Sequence, residues 1–200
     1  IIGDLFEYWV GDDDPHPINK LIQNKIKDAH SQGLSIFFIH GNRDFLLGSQ
    51  FEKNTGLRII DDMTVIKDSG ISLMIAHGDS FCIDDVEYQD LKKSLRSEEW
   101  KKDFLQKPIA ERIAFADDLR AKSAESSSNK AENIMDVNQS YVAEVIEKHK
   151  IDFLIHGHTH RPAIHKLDNG SSRVVLGSWE DEGWVAEYSK GNIELKSFTI

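Results

Sequence analysis

The 200-residue sequence predicts a layered α/β fold that carries a helical insertion. Three observations lead to this prediction: strand and helix patterns alternate in the first third, only helical patterns occur over residues 86–149, and β patterns return in the last third. Because alternating strands and helices are typical of α/β domains, the helical stretch is interpreted as an insertion. We therefore expect a core of residues 1–85 and 150–200, with a helical lid and return helix at 86–149.

The first third is predicted to contain three buried strands and one helix. The strands are expected at three apolar runs, residues 1–2, 34–39 and 71–76. The helix is expected at residues 18–31, where apolar side chains recur at helical spacing until Gly33 ends the pattern. Since a domain rarely begins with the last turn of a core strand, we expect that further residues precede the first one.

The insertion is predicted to be helical except for one loop. Apolar side chains recur at helical spacing from Leu91 to Leu119 and again over 136–148, and Pro108 breaks or kinks the first of these runs. Residues 124–132 are rich in Ser, Asn and Lys, which predicts a mobile loop.

Every predicted element after the insertion is a strand. Apolar or alternating runs predict strands at 151–154, 172–176, 183–188 and 193–198. A hairpin turn is expected at 189–192, where the sequence is Ser-Lys-Gly-Asn.

The charge of the chain is negative overall but positive in one segment. The formal net charge is −10, which argues against nucleic-acid binding because that function requires a basic face. Between residues 92 and 130 there are ten Lys/Arg and seven Asp/Glu, a local excess of three positive charges. This segment is either an ordinary solvated helix face or a basic surface for phosphate groups or anionic lipid.

Two features bear on the cellular compartment. No apolar run approaches 18 residues, so no transmembrane helix is predicted. The single cysteine, Cys82, cannot form an internal disulfide, which is typical of a protein of the reducing cytosol.

Four of the predicted strands end in loops that combine glycine with side chains able to bind a metal ion. These loops are Gly3-Asp4, Gly41-Asn42, His77-Gly78 and residues 157–160 (GHTH). A single loop of this kind would be explained most simply as an ordinary turn, but four of them in this order are not explained by chance. Carboxylate, amide and imidazole ligands together suit Mn²⁺, Fe or Zn²⁺ better than Ca²⁺ or Mg²⁺. Open α/β sheets bind ligands at the carboxyl ends of their strands, so the sequence predicts a metal site there.

The order of these loops resembles the signature of the calcineurin-like metallophosphoesterases, which runs Asp-x-His, Gly-Asp, Gly-Asn, His and Gly-His-x-His. The chain holds every block except the first. Within that superfamily it is similar to the UDP-2,3-diacylglucosamine hydrolases of lipid A synthesis. The segments that carry this similarity are 3–9 (GDLFEYW), 40–45 (HGNRDF), 77–79 (HGD), 82–85 (CIDD), 120–123 (RAKS), 134–139 (IMDVNQ) and 156–162 (HGHTHRP). The resemblance spans almost the whole chain and implies the layered sandwich of this superfamily.

The resemblance implies two divalent metal ions, with Mn²⁺ as the expected metal. Asp4 would bridge the two ions. Asn42, His77 and His158 would complete one site. His160 would serve the other site, whose remaining two ligands belong to the first block of the family signature, expected upstream of Ile1.

Arg43 follows Asn42 at a position where the wider superfamily usually has a histidine that protonates the leaving group. Arginine cannot donate a proton at a useful pH, so this site suits a leaving group that is already acidic. A phosphate monoester, with a second pKa near ~6, leaves a pyrophosphate without such help. Arg43 can instead bind phosphate oxygens. Unless it is an ordinary surface cation, Arg43 therefore favours cleavage of a pyrophosphate over that of a phosphomonoester.

The resemblance implies hydrolysis of UDP-2,3-diacylglucosamine to UMP and 2,3-diacylglucosamine 1-phosphate by a metal-activated water. The residues implied to be catalytic are Asp4, Asn42, Arg43 and His158. The residues implied to contact the substrate are Asn42, Arg43, Asp85, Ser123, Ser127, Lys130 and His158.

The apolar side chains of the insertion have two interpretations that are compatible with each other. They form the core of a helix pair, or they line a lid whose interior holds two acyl chains. The basic face of these helices would lie on anionic headgroups, which implies peripheral association with the cytoplasmic face of the inner membrane of a Gram-negative bacterium. The implied partners are the lipid substrate and this membrane surface, not nucleic acid.

Two alternative functions stay open at this point. The first is another metallophosphoesterase, such as a nucleotide phosphodiesterase, against which segments 82–85 and 120–123 and the long insertion argue. The second is a metal-binding homologue without enzymatic activity.

Overall fold

The computed structural model describes residues 1–129 and 134–200, with the backbone only at 124 and 126–129. The described residues divide into two compact units. Unit 1 consists of Ile1, Gly3–Ile60 and the described part of Val86–Ala131. Unit 2 consists of Ile2, Asp61–Asp85 and the described part of Glu132–Ile200.

Unit 1 is mainly helical. Its elements are α1 (Pro17–Ser31), β1 (Phe37–Phe38), α2 (Ser49–Thr55), β2 (Arg58–Ile59), α3 (Val86–Leu95), α4 (Glu98–Leu105) and α5 (Ile109–Asn129). Strands β1 and β2 are parallel. The strand predicted at 34–39 is confirmed over two residues only. The strand predicted at residues 1–2 is wrong as a regular element, although Ile1 donates to the Phe37 carbonyl at 2.8 Å and accepts from the Ile39 amide at 3.0 Å.

An aromatic cluster anchors the irregular segment that precedes α1. Phe6 and Trp9 of this segment pack on Phe51 of α2, with ring centroids between 4.5 and 5.9 Å apart. Asp12 fixes the same segment, because its Oδ2 accepts from the amide of Gln50 at 3.0 Å and from that of Phe51 at 3.1 Å. These contacts cap the first turn of α2 and hold the segment without secondary structure of its own.

A buried arginine connects α5 to the same segment. The Arg112 side chain is 2% exposed and donates to the carbonyl of Val10 at 2.6 Å and to that of Lys107 at 3.0 Å. It also forms a bidentate pair with Asp13, with N–O distances of 2.8 and 2.5 Å. The buried guanidinium of Arg112 is therefore bonded to two carbonyl oxygens and to one carboxylate, which offsets its charge.

Unit 2 is built on a five-stranded mixed sheet. Its elements are β3 (Thr64–Asp68), β4 (Ile71–Ala76), a 3₁₀ turn (Asp79–Phe81), α6 (Gln139–His149), β5 (Phe153–His156), β6 (Ala163–Lys166), β7 (Ser172–Val175), β8 (Glu182–Ser189) and β9 (Asn192–Thr199). The strand order is β3-β4-β5-β7-β6, in which the three central strands are parallel and the outer two are antiparallel to their neighbours. Ala76 lies opposite His156 in the register, so β4 and β5 end side by side. The predicted α/β class is confirmed.

Most β elements of unit 2 follow the sequence pattern, although the strand predicted at 151–154 lies two residues later, at Phe153–His156. The strand predicted at 71–76 is confirmed over its full length, and β8 and β9 form the predicted hairpin through Lys190 and Gly191. Both of these turn residues have a positive φ, as tight hairpin turns require. The predictions did not include β3 and β6, whose side chains are mostly half-buried or exposed and form no continuous apolar run.

The residues between 86 and 149 are helical wherever the structure assigns a regular element. Helices α3 to α5 belong to unit 1 and α6 to unit 2. The loop predicted at 124–132 is wrong over 124–129, because α5 continues to Asn129. Serine is only a modest helix breaker, and an established helix extends at little cost. None of the described helices is long and apolar enough to cross a bilayer. The predicted core and insertion boundaries stay a prediction.

Candidate functional site

In unit 1, a contact between two loops fixes Asp4 beside Arg43. The Arg43 amide donates to Asp4 Oδ1 at 2.9 Å, and Arg43 Nε lies 3.8 Å from Asp4 Oδ2. Asp4 has a left-handed backbone with φ of 53°, which Asp adopts more readily than most residues. A Cβ at Gly41 would overlap the Asp4 carboxylate. The glycine therefore allows the two predicted metal-binding loops of this unit to approach.

A fully buried carboxylate ties the same two loops together. Asp44 accepts from the Gly41 amide at 2.8 Å and from the Leu5 amide at 2.7 Å. Hydrogen bonds from backbone amides to a carboxylate are among the stronger ones in proteins. Asp44 thus fixes the backbone on which Asp4 and Arg43 are carried.

A cavity of about 320 Å³ opens within unit 1, and its wall is largely apolar. Helices α3 to α5 supply most of this wall, through Leu91, Leu95, Trp100, Phe104, Phe115 and Leu119. Trp100 stacks on Phe104 with ring centroids 4.5 Å apart, and Phe115 lies against both rings at 5.7 and 5.3 Å. Both interpretations of the apolar residues are compatible with this wall: the helices pack on each other, and they leave an apolar crevice.

The polar lining of the cavity includes three of the residues implied to contact the substrate, Asn42, Arg43 and Ser123. Four further charged residues lie in the same lining, Glu7, Lys92, Arg96 and Arg120. Glu7 Oε2 accepts from Arg43 at 3.0 Å and is 2.6 Å from an Arg120 nitrogen. The cavity therefore combines an aromatic wall with guanidinium groups that can bind an anion.

In unit 2, the aligned ends of β4 and β5 place His77 and His158 next to each other. Their ring centroids are 5.1 Å apart. His77 is buried, and its Nδ1 lies 2.8 Å from the Ile2 carbonyl oxygen. Since a carbonyl only accepts, Nδ1 carries the hydrogen and Nε2 the lone pair. A histidine oriented in this way by a carbonyl is typical of metal ligands, so the donor set fits a divalent metal ion.

The loop after β5 is shaped by residues of unusual backbone conformation. His158 and His160 are both left-handed, with φ of 65° and 54°. A Cβ at Gly78 would lie 2.8 Å from the Gly157 carbonyl oxygen, so this glycine allows the two loops to touch. His160 is exposed and lines an open pocket of about 240 Å³, together with Trp184 and other residues of unit 2.

A buried histidine–arginine contact supports the same loop from beneath. His156 is fully buried, and its Nδ1 lies 2.9 Å from the Gly157 carbonyl oxygen. Arg173 of β7 donates to His156 Nε2 at 3.2 Å. Burial lowers the pKa of His156 to about 4, so the ring is neutral near pH 7. Sequence reasoning missed Arg173, although one cation in the strand Ser172–Val175, which is buried throughout, was a signal.

The structure says less about the remaining residues that were predicted to contact the substrate. Asp85 is half-buried in unit 2, where its amide donates to the Cys82 carbonyl at 3.3 Å. Ser127 lies in α5, but only its backbone is described. Lys130 lies outside the described residues. The structure thus brings Asp4, Asn42 and Arg43 together in unit 1, and His77 and His158 together in unit 2.

Comparison with known proteins gives a consistent picture. A family model described as calcineurin-like phosphoesterase matches residues 1–162. Proteins named UDP-2,3-diacylglucosamine hydrolase from Pectobacterium carotovorum subsp. carotovorum (strain PC1) and Yersinia pseudotuberculosis serotype O:1b (strain IP 31758) are similar to this chain. Each is 41% identical over 201 positions, which cover 99% of this chain and 84% of the relative. A protein of the same name from Yersinia pestis bv. Antiqua (strain Angola) gives the same values.

Proposed function

The chain belongs to the calcineurin-like phosphoesterases and, within them, to the UDP-2,3-diacylglucosamine hydrolases, and on that premise we propose that it hydrolyses the pyrophosphate bond of UDP-2,3-diacylglucosamine. The products are UMP and 2,3-diacylglucosamine 1-phosphate, an intermediate of lipid A synthesis. The family resemblance stated from the motifs is confirmed by the 41% identity to curated hydrolases.

The observation that carries this proposal is the cavity of unit 1. Its aromatic wall suits acyl chains, and Asn42, Arg43 and Ser123 in the same lining suit a sugar phosphate. A substrate with both characters uses the whole lining, whereas a water-soluble nucleotide would leave the aromatic wall without a partner. The cavity therefore favours the lipid substrate over the substrate of a nucleotide phosphodiesterase.

We propose that the metal ligands are those implied by the motif order: Asp4, Asn42, His77, His158 and His160. The hydrogen bond between His77 and a carbonyl, and the fixed carboxylate of Asp4, support this set. The family implies divalent ions, and we propose Mn²⁺, which suits mixed oxygen and nitrogen ligands. When bound, such ions polarise the phosphate and lower the pKa of a bound water.

Within the protein, Arg43 has the central role in binding charge. Its guanidinium can hold phosphate oxygens through two parallel bonds and stabilise the negative charge that develops on the leaving phosphate. Its backbone amide also orients Asp4. Asn42 lines the same cavity and supplies an amide oxygen and two further N–H donors. No residue at this position has to protonate the leaving group, since the sugar phosphate leaves as a stable anion.

The further substrate contacts are proposed on two grounds. Ser123 lines the cavity next to the charged residues, so its hydroxyl is available to the sugar or phosphate. Asp85, Ser127, Lys130 and His158 are proposed from the family resemblance.

We also propose that the protein binds the cytoplasmic face of the inner membrane peripherally. Val86, Leu91 and Leu105 of α3 and α4 are 63%, 42% and 40% exposed. Four lysines, Lys92, Lys93, Lys101 and Lys102, lie on the same two helices. Exposed apolar side chains among lysines and arginines are typical of segments that bind anionic lipid surfaces. Sedimentation with anionic vesicles should fall as salt rises, and binding only to neutral vesicles would contradict this proposal.

The decisive assay compares two substrates with the Mn²⁺-loaded protein. Release of UMP from UDP-2,3-diacylglucosamine should greatly exceed turnover of bis-p-nitrophenyl phosphate, and activity on the latter alone would overturn the lipid substrate. Chelation should abolish the activity and Mn²⁺ should restore it. A single bound metal ion with no hydrolysis of either compound would instead support the metal-binding homologue.

Arg43→Ala should lower kcat/KM for UDP-2,3-diacylglucosamine by about 100-fold or more, because a transition-state charge partner is lost. Its thermal unfolding should be unchanged, since the Arg43 side chain is 35% exposed. Arg58→Ala is the matched control, because Arg58 is an exposed cation of unit 1 outside the cavity lining. Wild-type kinetics in Arg43→Ala would contradict the role in phosphate binding.

A further inference from the structure

We infer that Glu7 is a positioning residue that holds Arg43 and Arg120 together, and that Arg120 thereby binds the phosphate of the substrate beside Arg43. This inference rests on the proposed function and extends it by two residues to which the sequence had assigned no role.

The geometry of the three charges carries the inference. One oxygen of Glu7, Oε2, is bonded to Arg43 Nη1 at 3.0 Å and to Arg120 Nη2 at 2.6 Å. The three residues come from separate parts of unit 1: the segment before α1, the loop after β1, and α5. All three line the same cavity. Two guanidinium groups that share one acceptor atom are necessarily neighbours, and their like charges would repel without that acceptor.

The charge balance around Arg43 favours an approaching phosphate. Arg43 lies 3.8 Å from Asp4 and 3.0 Å from Glu7, and Arg120 lies 2.6 Å from the same Glu7 oxygen. Because Asp4 is proposed to bind metal ions, Glu7 is the carboxylate that the two arginines share. Glu7, Arg43 and Arg120 together carry one net positive charge, and further cations of the cavity lining add to it. The leaving sugar phosphate gains negative charge as the pyrophosphate bond breaks, so the paired guanidinium groups stabilise the product side of the reaction.

The bonds to Glu7 leave capacity for a ligand. A guanidinium has five N–H donors in a planar fork, so one bond to Glu7 does not exhaust either arginine. The Glu7 side chain is 68% exposed, that of Arg120 45% and that of Arg43 35%. Ion pairs at such exposure contribute little to the stability of a fold. Stability therefore does not account for an arrangement that joins three separate segments around a cavity.

The test combines kinetics with binding of the lipid product. Glu7→Gln keeps the size of the side chain but loses its charge, and we expect kcat/KM for UDP-2,3-diacylglucosamine to fall about tenfold, mainly through KM. Arg120→Gln should have a similar or larger effect, and the double variant should be no worse than Arg120→Gln, because the two residues act through one contact. Glu7→Asp should recover part of the loss.

A second readout does not depend on turnover. Binding of 2,3-diacylglucosamine 1-phosphate to the metal-free protein should weaken in Glu7→Gln and in Arg120→Gln. Asp118→Asn is the matched control, because it removes the exposed pair between Asp118 and Lys122, 2.7 Å apart on the same helix. This control should keep wild-type kinetics and affinity, and thermal unfolding should be unchanged in all of these variants.

Several results would overturn the inference. Wild-type kinetics and affinity in Glu7→Gln would do so, as would additive losses in the double variant. Tighter product binding in Glu7→Gln would mean that Glu7 competes with the phosphate rather than positioning its partners. These outcomes leave the proposed function intact. A wild-type protein that releases no UMP would overturn the proposed function instead, and binding of the product to the metal-free protein would still decide whether the arginine pair exists.

Discussion

Among the described residues, each unit contains one buried arginine, and the two arginines have opposite kinds of hydrogen-bond partner. Arg112 in α5 is 2% exposed and pairs with the carboxylate of Asp13 and with two carbonyls. Arg173 in β7 is 4% exposed and donates to the neutral ring of His156. Its Nε has no hydrogen-bond partner among the residues that the structure describes.

The difference shows what a counter-ion does for a buried cation. The hydrogen bonds that Arg112 donates to Asp13 raise the pKa of Arg112 above its usual value and hold the pKa of Asp13 below its own. Burial lowers the pKa of Arg173, and the charge of Asp136 raises it by less, since no carboxylate among the described residues is hydrogen-bonded to Arg173. Arg112 therefore stabilises the fold of unit 1. Arg173 contributes little to the stability of unit 2, because the free energy of desolvating its charge is not offset by a bonded counter-ion among the described residues. Three measurements test this contrast.

The largest effect is expected for Arg112→Met. This change leaves the Val10 and Lys107 carbonyls and the Asp13 carboxylate without their donor, so the free energy of unfolding should fall by about 3–5 kcal/mol. Urea denaturation gives this value. Arg58→Met, at an exposed position of β2, should change it by less than about 0.5 kcal/mol. A loss below about 1 kcal/mol for Arg112→Met would mean that the ion pair is not what holds α5 in place.

The next effect concerns His156 and pH. The ring is neutral in the folded protein, where its pKa is about 4, but takes up a proton near 6.5 when unfolded. The unfolded chain therefore binds more protons between these values, so stability rises with pH across this window and is fully present above 6.5. As pH falls from 6.5 to 4, the metal-free protein should lose about 3 kcal/mol through this group. His156→Gln should remove that part of the pH dependence, and an unchanged slope would contradict it.

The smallest effect is expected for Arg173→Met. Removing this cation leaves Nε2 of His156 without its donor, but it also removes a buried charge to which no carboxylate of the described residues is bonded. The two effects offset each other, so the free energy of unfolding should change by no more than about 1 kcal/mol. Urea denaturation of Arg173→Met and Arg112→Met under the same conditions compares their free energies of unfolding directly. Equal losses in the two variants would show that the counter-ion is not the deciding factor.

Much of the fold was predictable because its signals are local. The run 71–76 is six apolar or small residues long and forms β4 without change. The same holds for the hairpin at 189–192, where Gly191 identifies the turn. Helix α2 was not predictable in this way, because Phe51 is its only large apolar residue. It is held instead by Asp12, which lies 38 and 39 positions away from the two amides it caps.

The candidate site divides along the same line. His77 and His158 could be named from the sequence because they lie one and two residues beyond the ends of β4 and β5, where α/β sheets bind their ligands. The role of Glu7 could not, since its partner Arg43 is 36 positions away and only the folded chain brings them together. Arg112 and Asp13 are 99 positions apart, so their pairing likewise had no sequence signal.

The register of the central sheet has a consequence for the order in which unit 2 folds. The amide of Ser72 in β4 donates to the side chain of Asp152, the residue before β5, and these two residues are 80 positions apart in the chain. Closing a loop of that length costs on the order of 4 kcal/mol in chain entropy, whereas the β3–β4 hairpin closes over a few residues. The β3–β4 hairpin should therefore form first, and the edge of β4 that later pairs with β5 should stay exposed until then. During synthesis that edge stays open until β5 has left the ribosome, so a chaperone that covers single strands would act on this protein within that interval.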